Sequence, residues 1–190
     1  MADAGSIALA EAAMQMDGSF LEIGTGSGFI AIALALQGKE VVACDVSNAA
    51  LACAEKNCAI LGAEVSLLSS DLFKDIAGRY DVIIFNPPSN ADESDADRQR
   101  KNQFKELMPP YLWKPLSRIF QATRAPGRRK YLQTFIRESG SHLNPGGSLL
   151  LNLIAEDLHF IERLADVRTS QVRSSPGGVV VRITATRPGL

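Results

Sequence analysis

An α/β fold built on a mostly parallel sheet is what the order of apolar runs in this 190-residue chain predicts. Short apolar runs ending in glycine or an acid alternate with longer stretches of good helix formers, and the short runs are continuously apolar. Continuous apolarity marks strands covered on both faces, which places helices above and below a parallel sheet. A third observation breaks the alternation. Two β-branched runs, Val167–Arg173 and Val179–Thr186, flank Ser175-Pro176-Gly177-Gly178 and read as a hairpin that adds an antiparallel strand at one edge.

The elements follow in order. Gly5–Met16 is Ala-rich and reads as a helix, and Phe20–Ile23 is a short buried strand ending in glycines. Phe29–Gln37 is helical and stops at Gly38, as a residue suited to left-handed backbone stops a helix. Glu40–Cys44 is the second strand, with Asp45 at its end; Ser47 caps a helix that runs to about Leu61 and closes at Gly62. Val65–Leu68 and Tyr80–Phe85 are the third and fourth strands. Tyr131–Leu143 is a helix, Asn144-Pro145-Gly146-Gly147 a turn, Ser148–Leu153 the fifth strand, and Asp157–Ala165 a weaker helix. No linker divides the chain, so residues 1–190 are expected to form a single domain with a basic insertion at about residues 90–130.

Composition narrows the function classes. Hydrophobic residues at 46% and charged residues at 22% describe an ordinary globular chain, which excludes disorder and collagen-like repeats. The longest apolar runs, Phe29–Leu36 and Leu149–Leu153, fall far short of the ~20 residues of a membrane span. No basic stretch followed by an apolar one opens the chain, so a secretory signal is not expected. Cys44, Cys53 and Cys58 form no CxxC pair, and with His142 and His159 they make no metal-ligand pattern; reduced thiols and a cytoplasmic location are the expectation. The net charge of −1 conceals a strong asymmetry: Arg98 to Lys130 holds ten Lys/Arg against one acid, Glu106. With Tyr111, Trp113 and Phe120 interleaved, that segment reads either as a wall facing an anionic or phosphate-bearing acceptor or as a solvated insertion anchored by its aromatics.

Three constellations carry chemistry. Glu22-Ile23-Gly24-Thr25-Gly26-Ser27-Gly28 joins the first strand to a helix, and its glycines let the backbone approach a ligand at the positive end of that helix. Its glycines stand at the first, third and fifth positions, and Phe29 occupies the sixth, where a dinucleotide fingerprint requires glycine. Asp45 ends the second strand at the edge where open α/β sheets bind ligands, and its carboxylate is suited to accept a pair of ribose hydroxyls. Asp71 follows the third strand and suits either an adenine amino group or the cap of a short helix. The third constellation is Phe85-Asn86-Pro87-Pro88-Ser89 at the end of the fourth strand. Two prolines remove two backbone donors. The Asn86 amide oxygen and the Pro87 carbonyl are thereby left to accept the two hydrogens of a planar –NH2 group and turn its lone pair toward an electrophilic methyl.

From about Ser19 to Leu153 the chain resembles the class I S-adenosylmethionine-dependent amino-methyltransferases that carry an Asn-Pro-Pro-aromatic motif, and it is most similar to HemK-type protein-glutamine N5-methyltransferases. The resemblance rests on the Glu22–Gly28 loop, Asp45-Val46-Ser47, the Asn-Pro-Pro of Asn86–Pro88, and Asn144-Pro145-Gly146-Gly147. It implies a Rossmann-like, mostly parallel seven-stranded sheet with an antiparallel closing strand and helices on both faces. It also implies S-adenosylmethionine as donor, S-adenosylhomocysteine as product, and methyl transfer to nitrogen. The site it implies comprises Glu22, Gly24, Thr25, Gly26, Gly28, Asp45, Asp71 and Asn86 toward the donor, with Asn86, Pro87, Pro88 and Ser89 toward the acceptor.

The chain departs from that pattern at two places. Ser89 stands where the family carries Tyr or Phe, removing an aromatic platform worth ~1–3 kcal/mol to a stacked base. The segment before Phe20 is also too short for the helical domain with which HemK enzymes grip release factors. The acceptor therefore stays open among protein glutamine, an RNA base and a small metabolite. A donor-binding subunit that needs a catalytic partner is the reading from another class. No Ser or Cys is spaced with a His and an acid for nucleophilic hydrolysis.

Overall fold

The computed structural model describes residues 3–87, 127–164, 166–175 and 178–185. Two compact units divide the chain, Met1–Pro87 with Phe135–Leu190, and Pro88–Thr134. The second lies almost wholly outside the described residues, as does most of the basic segment expected at 90–130.

The first unit is built on one seven-stranded sheet. Its strands are β1 (Phe20–Ile23), β2 (Val41–Asp45), β3 (Ser66–Ser69), β4 (Tyr80–Phe85), β5 (Leu143–Leu153), β6 (Val167–Ser175) and β7 (Gly178–Ala185), in the order β3-β2-β1-β4-β5-β7-β6. The pairs from β3 across to β5 are parallel, and β7 is antiparallel to both β5 and β6. The antiparallel strand is thus seated one place in from the edge, and β6 is the edge strand.

Helices α1 (Ala4–Met14), α2 (Phe29–Ala35), α3 (Asn48–Leu61), a helix over 127–139 (α4) and α5 (Ala155–Ile161) complete the fold. The caps are those the sequence supplies. Ser47 accepts from the Ala50 N–H through its hydroxyl, and Gly62 closes α3 at φ +65°. Two-residue periodicity then sorts the strands. Phe20, Val82, Ile84, Leu150 and Val180 face the α1 and α2 side, in one buried cluster with Leu9, Ile30 and Leu34. Phe85, of opposite parity, stacks on Phe135 at 4.4 Å between ring centres, and Phe135 meets Phe73 at 5.0 Å. Burying side chains of this size contributes about 1.5–3 kcal/mol each.

One local expectation is corrected. Asn144–Gly147 is not a turn preceding a strand but lies within β5, whose pairing jumps from Tyr80↔Leu143 to Val82↔Ser148. The extra residues are absorbed as a bulge. Gly146 adopts φ +81°, and Asn144 donates to the Asp81 carboxylate at 2.8 Å, which holds the excess loop against β4. The helix expected over Tyr131–Leu143 also begins earlier, and it tightens into a 3-10 turn at Gly140–His142. Among the described residues, no helix is long and apolar enough to cross a membrane.

Candidate active site

The carboxyl ends of β3, β2, β1 and β4 lie side by side, so Asp71, Asp45, the Gly24–Gly28 loop and Asn86 emerge along one rim of the sheet. Register makes the central step explicit. Ile23 pairs with Cys44 on one side and Phe85 on the other, so Gly24, Asp45 and Asn86 are the next residues on three adjacent strands, which are spaced ~4.8 Å apart.

The loop is held from within. Gly24, Gly26 and Gly28 have φ of +68°, +57° and +81°, a region that side chains with a Cβ rarely adopt. The Thr25 hydroxyl donates to Glu22 Oε2 at 2.7 Å, and the Ala31 N–H at the start of α2 donates to the same oxygen at 3.0 Å. Glu22 is 3% exposed, and burial pushes its carboxyl up to about 7, helped by the Asp45 charge and opposed by the two hydrogen bonds. Glu22 and Thr25 therefore face each other inside the loop and fix its path from β1 into α2. Phe85 lies directly below: a Cβ on Gly24 would stand 3.5 Å from its ring, whereas one on Gly26 would meet nothing within 4 Å.

Asp45 joins this loop to β2. One carboxylate oxygen accepts the Gly26 N–H and the other the Ser47 N–H, each at 2.9 Å. A carboxylate oxygen accepts more than one bond, so this arrangement orients Asp45 and leaves it acceptor capacity. Asp71 is exposed and begins a turn, not a helix, so its alternative as a helix cap falls away. The turn is held by Ser70 instead, whose hydroxyl accepts the Asp75 N–H at 3.1 Å and donates to the Leu72 carbonyl at 2.9 Å.

Asn86 is half-buried and Pro87 buried, while Pro88 and Ser89 lie outside the described residues. The Asn86 amide is fully directed. Its –NH2 donates to Ser6 Oγ at 3.0 Å and toward both Asp3 carboxylate oxygens at 3.4 Å, and its oxygen accepts from Asn152 Nδ2 at 3.1 Å. Sequence reasoning missed Asp3, Ser6 and Asn152. A signal existed for each: Asp3 and Ser6 have the spacing of a helix N-cap, and Asn152 interrupts the otherwise apolar run Leu149–Leu153.

The family model of the methyltransferase small domain matches residues 1–106, more than half of the chain. The chain belongs to that family. It is 35% identical over 162 residues to the ribosomal protein uL3 glutamine methyltransferase of Xanthomonas campestris pv. campestris, covering 83% of this chain and 48% of that protein. It is 37% identical over 150 residues to the release factor glutamine methyltransferase of Koribacter versatilis, covering 75% of this chain and 50% of that protein. The chain spans about half the length of these curated relatives. Among solved structures it superimposes on the ribosomal protein L11 methylase of Lactobacillus delbrueckii subsp. bulgaricus with a TM-score of 0.65 and 22% identity, covering 96% of this chain and 78% of that one. The seven-stranded sheet of this family member is the Rossmann-like class I methyltransferase fold.

Proposed function

We propose that this chain transfers a methyl group from S-adenosylmethionine to the side-chain amide nitrogen of a protein glutamine. The observation that carries the reading is the adjacency of Gly24 and Asn86 on neighbouring strand ends, which sets a ligand-cradling loop one strand away from an amide grip. The relatives named as glutamine methyltransferases support the choice of acceptor.

The residues fit the donor. The open face over Gly26 is a cradle that any side chain there would fill, and the oriented Asp45 carboxylate retains lone pairs for two ribose hydroxyls. Glu22, Thr25, Gly24 and Gly28 shape the cradle, and Asp71, just past the end of β3, is the acceptor assigned to the adenine amino group. When bound, S-adenosylmethionine supplies a methyl on a positive sulfur that leaves as the neutral thioether of S-adenosylhomocysteine. Asn86 and Pro87 accept the two amide hydrogens of the glutamine and aim its nitrogen. With the donor held by the Gly24–Gly28 loop and Asp45, the nitrogen aimed in this way would receive the methyl while the sulfur keeps the bonding pair, and one amide proton would pass to water. Orientation supplies most of the acceleration.

The test uses the purified chain with methyl-labelled donor and three probes: ribosomal protein uL3, a release factor and ribosomal RNA. Label in a protein probe, placed on a glutamine by mass spectrometry, is expected. Label confined to RNA overturns the glutamine reading. Donor binding with no transfer to any probe favours a donor-binding subunit.

A further inference from the structure

We propose that Asp3 and Ser6, at the start of α1, are positioning residues that lock the Asn86 amide with its oxygen presented as the acceptor; the proposal rests on Asn86 being the group that grips the methyl-accepting nitrogen. An amide side chain has two nearly isosteric orientations, and only the hydrogen-bond network decides between them. An Asn86 turned the wrong way would present an –NH2 to another –NH2, and the grip would become a repulsion.

The network here has a direction, and Asp3 sets it. A carboxylate accepts and does not donate. Asp3 Oδ1 accepts the Ser6 N–H at 2.8 Å as the N-cap of α1, and Oδ2 takes the Ser6 hydroxyl at 3.4 Å. With its proton turned to Asp3, Ser6 Oγ offers a lone pair, which the Asn86 –NH2 fills at 3.0 Å. The same –NH2 faces both Asp3 oxygens at 3.4 Å. The Asn86 oxygen must then face the other way, where Asn152 Nδ2 donates to it at 3.1 Å. Turning Asn86 over would set oxygen against carboxylate at one end and –NH2 against –NH2 at the other. Asn152 is held in its turn by the Asn86 oxygen. Its Oδ1 is buried and has no hydrogen-bond partner among the described residues, and turning would bring that oxygen onto the Asn86 oxygen.

Placement follows from strand parity. Asn86 and Asn152 continue the face of Ile84 and Leu150, which is the face α1 covers. Gly5 lets the first turn of α1 come close, because a Cβ there would collide with Asn152 Nδ2. Donation along the chain thus runs from Asn152 to Asn86 to Ser6 to Asp3. The Asn86 oxygen keeps one lone pair for an incoming amide hydrogen.

The experiment follows the Asn86 side-chain amide in the nitrogen–proton NMR spectrum, its signals identified by their loss in Asn86→Ala, and sets it beside S-adenosylhomocysteine affinity and methyl transfer to ribosomal protein uL3 or a release factor. Ser6→Ala removes the acceptor, Asp3→Asn keeps the N-cap but lets it donate, and Ser6→Thr restores the hydroxyl. Exchange of the Asn86 amide protons with water should rise about tenfold in the first two, as one hydrogen bond is worth, and return in the third. Turnover should fall by a similar factor in the first two and recover in Ser6→Thr, with donor affinity unchanged. Asn86 signals indifferent to both Ser6→Ala and Asp3→Asn overturn the lock, whether or not methyl is transferred. A responsive Asn86 in a protein that labels only ribosomal RNA upholds the lock and overturns the glutamine reading alone.

Discussion

The Gly26 N–H donates to Asp45 Oδ2 at 2.9 Å, so the carboxylate that ends β2 and the loop that follows β1 are a single hydrogen-bonded unit. Asp45→Ala removes this bond, the Ser47 bond and the acceptors proposed for ribose. S-adenosylhomocysteine should bind the wild type and bind Asp45→Ala at least about tenfold more weakly, since bonds to a charged group contribute ~1.5–3 kcal/mol each. Titration calorimetry measures this directly. Binding of NAD in place of S-adenosylhomocysteine would end the methyltransferase reading.

The two loop glycines should respond differently to alanine. Both sit at positive φ, +57° for Gly26 and +81° for Gly28, and each substitution costs about 1–2 kcal/mol of backbone strain. Gly28→Ala adds a tight contact, because its Cβ would stand 3.1 Å from Ala54 Cβ and from Ile32 Cδ1, which must give by a few tenths of an ångström. Thermal unfolding should therefore show the larger loss of Tm in Gly28→Ala. Gly26→Ala should lose more donor affinity, since its methyl would occupy the open cradle.

Glu22 makes stability depend on pH in a definite direction. Its carboxyl titrates at about 7 in the fold against 4.5 ordinarily, so the folded state holds a proton that the unfolded chain has already released. Its contribution is fully present below 4.5 and declines as pH rises to about 7, by as much as ~3 kcal/mol. Glu22→Gln keeps an oxygen for Thr25 and Ala31, which share Oε2, and carries no titrating proton. Denaturant unfolding across that window should show the difference between wild type and variant changing with pH. A constant difference would remove Glu22 from this role.

Asn86→Ala should separate chemistry from donor binding. The resemblance also places Asn86 toward the donor, but its side chain contacts Ser6, Asp3 and Asn152 and makes no hydrogen bond to the glycine loop, so affinity for S-adenosylhomocysteine should stay close to wild type. Turnover should fall by ~100-fold or more, through loss of both orientation and a hydrogen bond. Full activity on the methylated protein would show that the Asn-Pro-Pro grip is not the catalytic device.

What the sequence made legible was whatever is local. The Ser47 cap, the Gly62 stop and the whole of β4 from Tyr80 to Phe85 stand where side-chain chemistry and apolar runs put them. The glycine loop and Asp45 were legible because their spacing is itself the signal. The Asn144–Gly147 bulge was hidden because a Pro-Gly-Gly run signals a turn whether or not a neighbouring strand takes it up. The polar chain from Asn152 to Asp3 was hidden for a stronger reason. Its members lie on β5, β4 and the start of α1, and only sheet order and strand parity bring them together. Ser70 escaped notice because Asp71 beside it is the more conspicuous cap residue, yet Ser70 is the one turned inward.

β7 occupies the slot between β5 and β6, although it leaves the ribosome after both. Without the β6–β7 hairpin, β5 would have its β4 neighbour on one side and an open hydrogen-bonding edge on the other. An exposed strand edge invites pairing with foreign chains. Until that hairpin is in place the β5 edge is open to foreign strands, and Asn152 on β5 has its Val180 neighbour only once β7 has docked.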